Sequence, residues 1–305
     1  MRCVPELVPI DLHFRGLERA VGCYLIETEA GLALHDCGPT TTIPALKEGL
    51  AARGVALQEI DNLLLSHIHL DHGGAAGALV REHPGLQVWV SEIGAPHLLD
   101  PTRLERSARR LYGDDLDFWF GELAPVPERN VAVVGDHVLG LDCFATPGHA
   151  SHHVTYFDPR DGTAYTGDTA GIRILPARYV APISPPPDID LDAWHRSLDA
   201  IELRGPKRLA LTHFGVVTDV WSHLERMRRE LFLWATRVRA GSDEEEFVAA
   251  AFESIEDEDD ETKAAFDNTE AFAQSYLGLR RYWDKLEQRT SSQDEHSGDP
   301  DQTRS

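Results

Sequence analysis

The stretch Ser66-His67-Ile68-His69-Leu70-Asp71-His72-Gly73-Gly74 sets three histidines and an aspartate within six residues. Imidazole nitrogens and carboxylates are ligands for zinc, iron or manganese. His67 and His69 stand at i and i+2, so both point the same way from extended backbone. Asp71 and His72 come where a helix starts and can face a second ion. Gly73 and Gly74 let that turn stay tight. A single ion takes three or four protein ligands, so four candidates this close suggest two ions. Three further candidates lie at strand ends beside glycines. They are His149 in ATPGHASHH, Asp168 in YTGDT and His213 in LALTHFG. A lone histidine in such a place is ordinarily structural, but five histidines with two aspartates form a metal site.

The elements around these residues must deliver them to one place. VGCYLIE (21–27) and GLALHD (31–36) read as strands joined by a turn, with a helix from Pro44 to Gly54. A buried strand over 63–66 leads into the histidine cluster, a helix follows from Gly73, and LQVWVS is another strand. From 131 onward the pattern changes to short strands and turns: VAVV, HVLGLDCFAT, HVTYFDP, TAYTGD and, at 209–213, LALTH. A parallel-leaning half and a hairpin-rich half, with helices between, predict an α/β chain of two packed sheets with helices outside.

Residues 101–124 read as an insertion with an amphipathic helix. Its Tyr112, Phe118, Trp119 and Phe120 either pack it down or line a cleft. A proline-rich loop leads to a helix at 190–201, and 219–239 and 243–255 are helical. Residues 256–261, EDEDDE, read as a solvated link before a helix over about 262–289.

The 305 residues carry 51 acidic and 29 basic side chains, a net charge of -22. Residues 241–305 hold 19 acidic and 6 basic of these, so the excess is concentrated outside the metal-ligand region. Such a balance disfavours nucleic acid, which is held by clustered Lys and Arg, and equally an anionic membrane surface. A small molecule is the expected partner. The start has no signal-peptide pattern, and no apolar run reaches the roughly 18 residues of a membrane span. Cys3, Cys23, Cys37 and Cys143 form no C-x-x-C pair. Reduced thiols with apolar packing roles, and hence a cytoplasmic protein, are the simplest reading. The aromatic-rich C-terminal helix packs on its own chain or forms a homo-oligomer face; both stay open.

Residues 20–215, with H-x-H-x-D-H intact at 67–72 and the later order His, Asp, His, closely resemble the metallo-β-lactamase fold superfamily of metallo-hydrolases. The match is to its glyoxalase II and lactonase-like dinuclear branch. The resemblance implies a four-layer αββα sandwich with a C-terminal helical extension. With the rest of the sequence reading, the chain divides into a catalytic domain at 1–215, the extension at 216–290 and an expected disordered tail at 291–305. The resemblance implies two divalent metal ions, zinc foremost with iron or manganese as alternatives. One ion would be held by His67, His69 and His149, the other by Asp71, His72 and His213, with Asp168 bridging them. Asp36, in LHDCG, matches a carboxylate that supports the site from behind. Such a group fixes the tautomer of a ligating histidine. His153 fits the second histidine of P-G-H-x-x-x-H, a supporting or structural role. Ser66 lies in no nucleophile elbow and is expected to satisfy local backbone.

The implied chemistry is hydrolysis of a small ester, lactone or thioester by a metal-bridging hydroxide, since a bound ion lowers the pKa of water to about 7. Asp71 is the implied catalytic residue, orienting the nucleophile or passing its proton on. A bridging Asp168 argues against β-lactam hydrolysis. A phosphodiesterase of the same fold is one alternative, and a mononuclear iron oxidoreductase of the persulfide dioxygenase kind is another. Tyr179, in the proline-rich loop, either stands over a lactone carbonyl or packs. Arg280, Arg281 and Lys285 are the basic residues with which a C-terminal helix could hold a peptide thioester.

Overall fold

The computed structural model describes residues 7–268 and 270–297; Cys3 and 298–305, the end of the expected tail, lie outside the described residues. One six-stranded sheet runs β1 (Ile10–Asp11), β2 (Gly22–Thr28), β3 (Gly31–His35), β4 (Ile60–Leu64), β5 (Gln87–Val90), β6 (Val131–Val133) in spatial order. Its first three strands pair antiparallel, and β3 to β6 pair parallel. The other sheet contains β7 (His137–Val138), β8 (Leu141–Ala145), β9 (Val154–Asp158), β10 (Thr163–Gly167), β11 (Arg208–Leu211) and β12 (Gly215–Val217), neighbours in sequence being neighbours in space. Only β10 and β11 pair parallel there, around the long excursion that separates them.

One strand differs from the sequence reading. The pattern places VAVV in the hairpin-rich half, yet β6 adds to β5 in parallel. Three helices lie between these strands: α4 (Ala95–Leu99), α5 (Thr102–Tyr112) and α6 (Leu116–Phe120). A helical crossover returns the chain in the same direction, which a hairpin turn cannot do.

Period-2 alternation builds the layers. In and after β4, Leu63 and Leu65 enter one core while Leu64 enters another. In β11, Leu209 and Leu211 face outward to a third core, and Ala210 faces the opposite sheet. Both faces of each sheet are therefore buried, and full burial of such a side chain is worth roughly 1.5–3 kcal/mol. The middle core, with Tyr24, Leu64, Leu141 and Tyr156, glues sheet to sheet.

The first sheet's outer core takes in α1 (Ile43–Ala51), α3 (Ala76–Glu82), α4 (Ala95–Leu99), α5 (Thr102–Tyr112) and α6 (Leu116–Phe120); the short α2 (Leu70–Gly73) precedes α3. The second sheet's outer core takes in α7 (Leu191–Leu203), α8 (Val220–Arg239), α9 (Glu244–Glu253), α10 (Asp260–Asn268) and α11 (Ala271–Ser297). The result is the expected αββα sandwich with C-terminal helices.

In α8 the buried residues Leu224, Met227, Leu231, Trp234 and Val238 recur every three or four positions, the stripe that a helix lays on a core. Asp243 caps α9, accepting from the Glu246 N–H at 2.9 Å while Glu246 accepts from the Asp243 N–H.

The helix read over 262–289 is two helices, α10 and α11. The second runs to Ser297, past the expected start of the tail at 291. The acidic run is also more than a solvated link. Glu258 accepts from the N–H groups of Arg178 and Tyr179 at 2.9 and 3.0 Å, and Glu261 pairs with Arg19. Carboxylates that repel each other in sequence are drawn to separate donors on the body, so the run fastens the C-terminal helices. No described helix is long and apolar enough to cross a membrane.

Candidate metal centre

All seven expected ligands come together at the end of the sheets where β4, β10 and β11 stop. The chain leaves β4 through Leu65 and Ser66, passes His67, and enters α2 at His69. Gly74 lies so close to the carbonyl of Leu70 that a Cβ there would sit 2.3 Å from its oxygen; this keeps the turn tight. Asp168 follows Gly167, whose φ of +46° and contacts with His153 and Ser66 leave no room for a side chain.

The ligand atoms form two groups, each within 4.8 Å: His67, His69, His149 and Asp168, then Asp71, His72 and His213. Asp168 spans them. Its Oδ2 lies 3.3 Å from His149 Nε2 and 4.0 Å from His67 Nε2. Its Oδ1 lies 3.1 Å from His72 Nε2 and 3.4 Å from His213 Nε2. Asp71 Oδ2 is 3.4 Å from His213 Nε2.

The tautomers follow from the outer nitrogens. His149 Nδ1 donates to the carbonyl of Ile183 at 2.9 Å, and His213 Nδ1 donates to the carbonyl of Ala20 at 2.6 Å. His72 Nδ1 donates to Asp36 Oδ2 at 2.8 Å. A carbonyl or carboxylate oxygen can only accept, so in the neutral ring, the form that binds metal, each Nε2 turns its lone pair inward. The Nε2 atoms of His72 and His213 then stand 3.3 Å apart, and His149 Nε2 is 2.9 Å from His69 Nδ1. His67 Nε2 is buried with no hydrogen-bond partner. Lone pairs converging beside two carboxylates suit cations, and the donor set fits divalent metal ions.

The electrostatics agree. Burial, helped by neighbouring imidazoles, holds His67 and His69 well below the ordinary histidine pKa, in the neutral form that binds metal. Burial also opposes charge on His72, but Asp168, Asp71 and Asp36 outweigh it and raise its pKa well above the usual value. His213 is raised in the same way by Asp168 and Asp71 against its burial. Burial would raise Asp71, yet His72 and His213 bring it down to about 2. The second group thus attracts positive charge, whether proton or metal.

Asp36 stands behind the site. It accepts from Ser66 N–H at 2.8 Å, from Ser66 Oγ at 3.0 Å, from Thr212 Oγ1 at 2.9 Å and from His72. Ser66 differs from its expected role, because its hydroxyl joins Asp36 to His67 Nδ1 at 3.0 Å instead of capping backbone. The sequence pattern does not single out Thr212. The available signal was position, since Ser66 and Thr212 each directly precede a ligand histidine. His153 Nε2 accepts the N–H of Asp168 at 3.1 Å and so positions that residue between the two histidine groups.

Above the centre lies a cavity of about 630 Å³, reached by His69, Asp71, Asp168 and His213. Its walls include Leu104, Ala108, Leu111 and Tyr112 of α5 and Gln274 and Leu277 of α11. The Tyr112 hydroxyl donates to Gln274 Oε1 at 3.3 Å across it. Among the aromatics of 101–124, Tyr112 and Phe120 line the cavity, whereas Phe118 is 71% exposed and turned away. Tyr179 is outside it, buried edge-on against Phe266 at 6.1 Å, so it does not stand over a substrate carbonyl. Arg281 lines the cavity; Arg280 pairs with Asp284, and Lys285 donates to the carbonyl of Pro187.

Comparison with known proteins points to the same family as the sequence resemblance. The family model described as "Metallo-beta-lactamase superfamily" matches residues 17–213. The metallo-beta-lactamase fold-containing protein ST1585 of Sulfurisphaera tokodaii is 30% identical over 186 residues, 56% of this chain and 67% of its own. Its crystal structure superposes with a TM-score of 0.58 at 26% identity, covering 73% of this chain and 84% of that one. The probable metallo-hydrolase YqjP of Bacillus subtilis is 24% identical over 233 residues, 67% of this chain and 70% of that protein. A metallo-beta-lactamase family protein of Thermus thermophilus, TTHA1429, shares the fold at a TM-score of 0.65 and 22% identity, over 91% of this chain and 93% of its own. This chain spans 63% of the length of another, uncharacterized, Bacillus subtilis relative.

Proposed function

This chain belongs to the metallo-β-lactamase superfamily, and from that premise we propose that it is a hydrolase of a small ester, lactone or thioester, working with two divalent ions, zinc foremost. The observation that carries the reading is the placement of Asp168, with one oxygen toward each histidine group. Two ions bound there would supply a water acidic enough to be a nucleophile at neutral pH and would polarise the substrate carbonyl.

The chain's own residues do the rest. His67, His69 and His149 would hold one ion, and Asp71, His72 and His213 the other. Asp36 and the carbonyls of Ile183 and Ala20 keep the protons of His72, His149 and His213 on the outer nitrogens. Asp71 is more open toward the cavity than His213 or Asp168, its side chain 28% exposed against 9% and 8%. Ionised at neutral pH, its carboxylate is an acceptor and would orient the attacking water or pass its proton on toward the leaving oxygen or sulfur. We read 1–215 as the catalytic unit and 216–290 as the extension that closes the cavity with α11. The buried free thiols of Cys23, Cys37 and Cys143 support a cytoplasmic home.

The test is metal analysis of the purified protein coupled to a screen of lactones, thioesters, carboxylic esters and phosphodiesters. Two ions per chain with carboxylic ester, lactone or thioester turnover is the expected result. One iron per chain with oxygen-dependent turnover would replace the hydrolase by the oxidoreductase alternative, and turnover confined to phosphodiesters would move the substrate class.

A further inference from the structure

In a chain with net charge -22, the cavity above the metal centre is lined by Arg15, Arg19, Arg103, Arg110 and Arg281. Asp71 and Asp168 lie at its floor among the ligands, and Asp188 at its side accepts from Ser151. Two of the arginines are engaged: Arg19 pairs with Glu261, and Arg15 lies 3.9 Å over the ring of Trp119. Arg103, Arg110 and Arg281 have no carboxylate within ion-pair distance among the described residues. Arg109, on the same helix, is paired with Glu105 and Asp117. Arg106, also on α5 and without an ion pair among the described residues, points away from the cavity, so Arg103 and Arg110 are the unpaired arginines that α5 presents to it.

Exposure orders the cavity by depth. Asp168 and His213 are buried at the bottom. Leu104, Ala108 and Leu111 form an i, i+4, i+7 stripe along α5, facing Leu277 of α11. Arg103 and Arg110, one heptad apart beside that stripe, and Arg281, one turn beyond Leu277, are exposed at the mouth. Guanidinium groups without partners favour a carboxylate or phosphate there, and the middle of the cavity favours hydrocarbon.

We propose that the substrate carries, on one arm of its ester, thioester or lactone, an apolar segment that ends in an anion. The reactive carbonyl lies at the floor, the apolar segment between α5 and α11, and the anion under Arg103, Arg110 and Arg281. The proposal rests on the hydrolase reading for the carbonyl, but its recognition half can be measured without turnover.

Calorimetry on the metal-loaded full chain at low salt would compare acetate, octanoate and octanedioate. Octanoate should bind more tightly than acetate, and octanedioate at least tenfold more tightly than octanoate. In R103Q/R110Q/R281Q the two eight-carbon ligands should bind alike. Added salt should shrink the wild-type preference, because charges at an exposed mouth are screened; this arm needs no variant to fold. Octanedioate binding no better than octanoate, a preference that survives in the triple variant or in high salt, or acetate matching octanoate would each overturn the proposal. A chain that hydrolyses 4-nitrophenyl acetate yet shows no such preference keeps the hydrolase reading and loses this one. A chain that shows the preference but cleaves no ester does the reverse.

Discussion

Replacing Asp36 by Asn isolates what a buried carboxylate does for a metal site it never touches. Asn has the same shape and tolerates the left-handed backbone at this position, φ 58°. It changes one acceptor end into a donor. If the new amide nitrogen took the Oδ1 position, it would face the Ser66 N–H at 2.8 Å, a donor that cannot turn away. It must therefore take the Oδ2 position, facing His72 Nδ1 at 2.8 Å and the Thr212 hydroxyl at 2.9 Å. The hydroxyl rotates; the imidazole must move its proton from Nδ1 to Nε2, the atom meant for the metal. Loss of such an outer partner costs metal affinity about 10–100-fold. Hydrogen bonds to a charged group are worth about 1.5–3 kcal/mol each against about 1 for neutral ones. Several are weakened while a buried charge is relieved, so the metal-free fold should lose about 2–4 kcal/mol. Competitive zinc titration against a chromophoric chelator should show one ion held as in the wild type and the other weakened. Nitrogen-15 spectra of neutral His72 in the metal-free protein should show the proton on Nε2. Wild-type affinity for both ions together with a lowered melting temperature would refute the reasoning and leave Asp36 a structural residue.

Asp168→Asn should reduce bound metal below two ions per chain and lower ester turnover by at least 100-fold, measured on the same preparation; unchanged activity would remove its bridging role. Metal uptake should weaken as pH falls, because the raised pKa of His72 means a proton must be displaced from it. Zinc titrations from neutral to mildly acidic pH should show roughly one decade of affinity lost per unit for each proton displaced. Asp36 has its pKa depressed against the burial that would raise it, by His35, His72 and Ser66. Its contribution to metal-free stability is therefore fully present above the ordinary value of 3.8 and lost as pH falls toward its folded pKa, which acid denaturation followed by fluorescence should show. Gly167→Ala should cost at least 1–3 kcal/mol in chemical denaturation and displace Asp168, since its Cβ would stand 2.6 Å from His153 Nε2 and Ser66 Oγ at a φ of +46°.

Much of this protein is local in origin and therefore legible in the chain. Ligand-type residues after Leu64, Gly167 and Leu211 mark strand ends, because a strand carries its next residues to the rim of the sheet. Apolar runs such as Leu63-Leu64-Leu65 mark strands buried on both faces. Those patterns determined the two sheets, the outer helices and the meeting of the seven ligands. Tertiary packing decided the rest. Tyr112 and Tyr179 were indistinguishable as sequence, both aromatic and both near turns. Only the docking of α5 against α11, which joins Tyr112 to Gln274 162 residues away, puts one in the cavity and the other behind Phe266. The acidic run 256–261 looked solvated because its charges repel along the chain, yet Arg178, Tyr179 and Arg19 supply donors from the body. Residue type and spacing determine which way a side chain leaves the backbone; which partner waits there depends on elements distant in sequence, set by shape and burial rather than by local pattern.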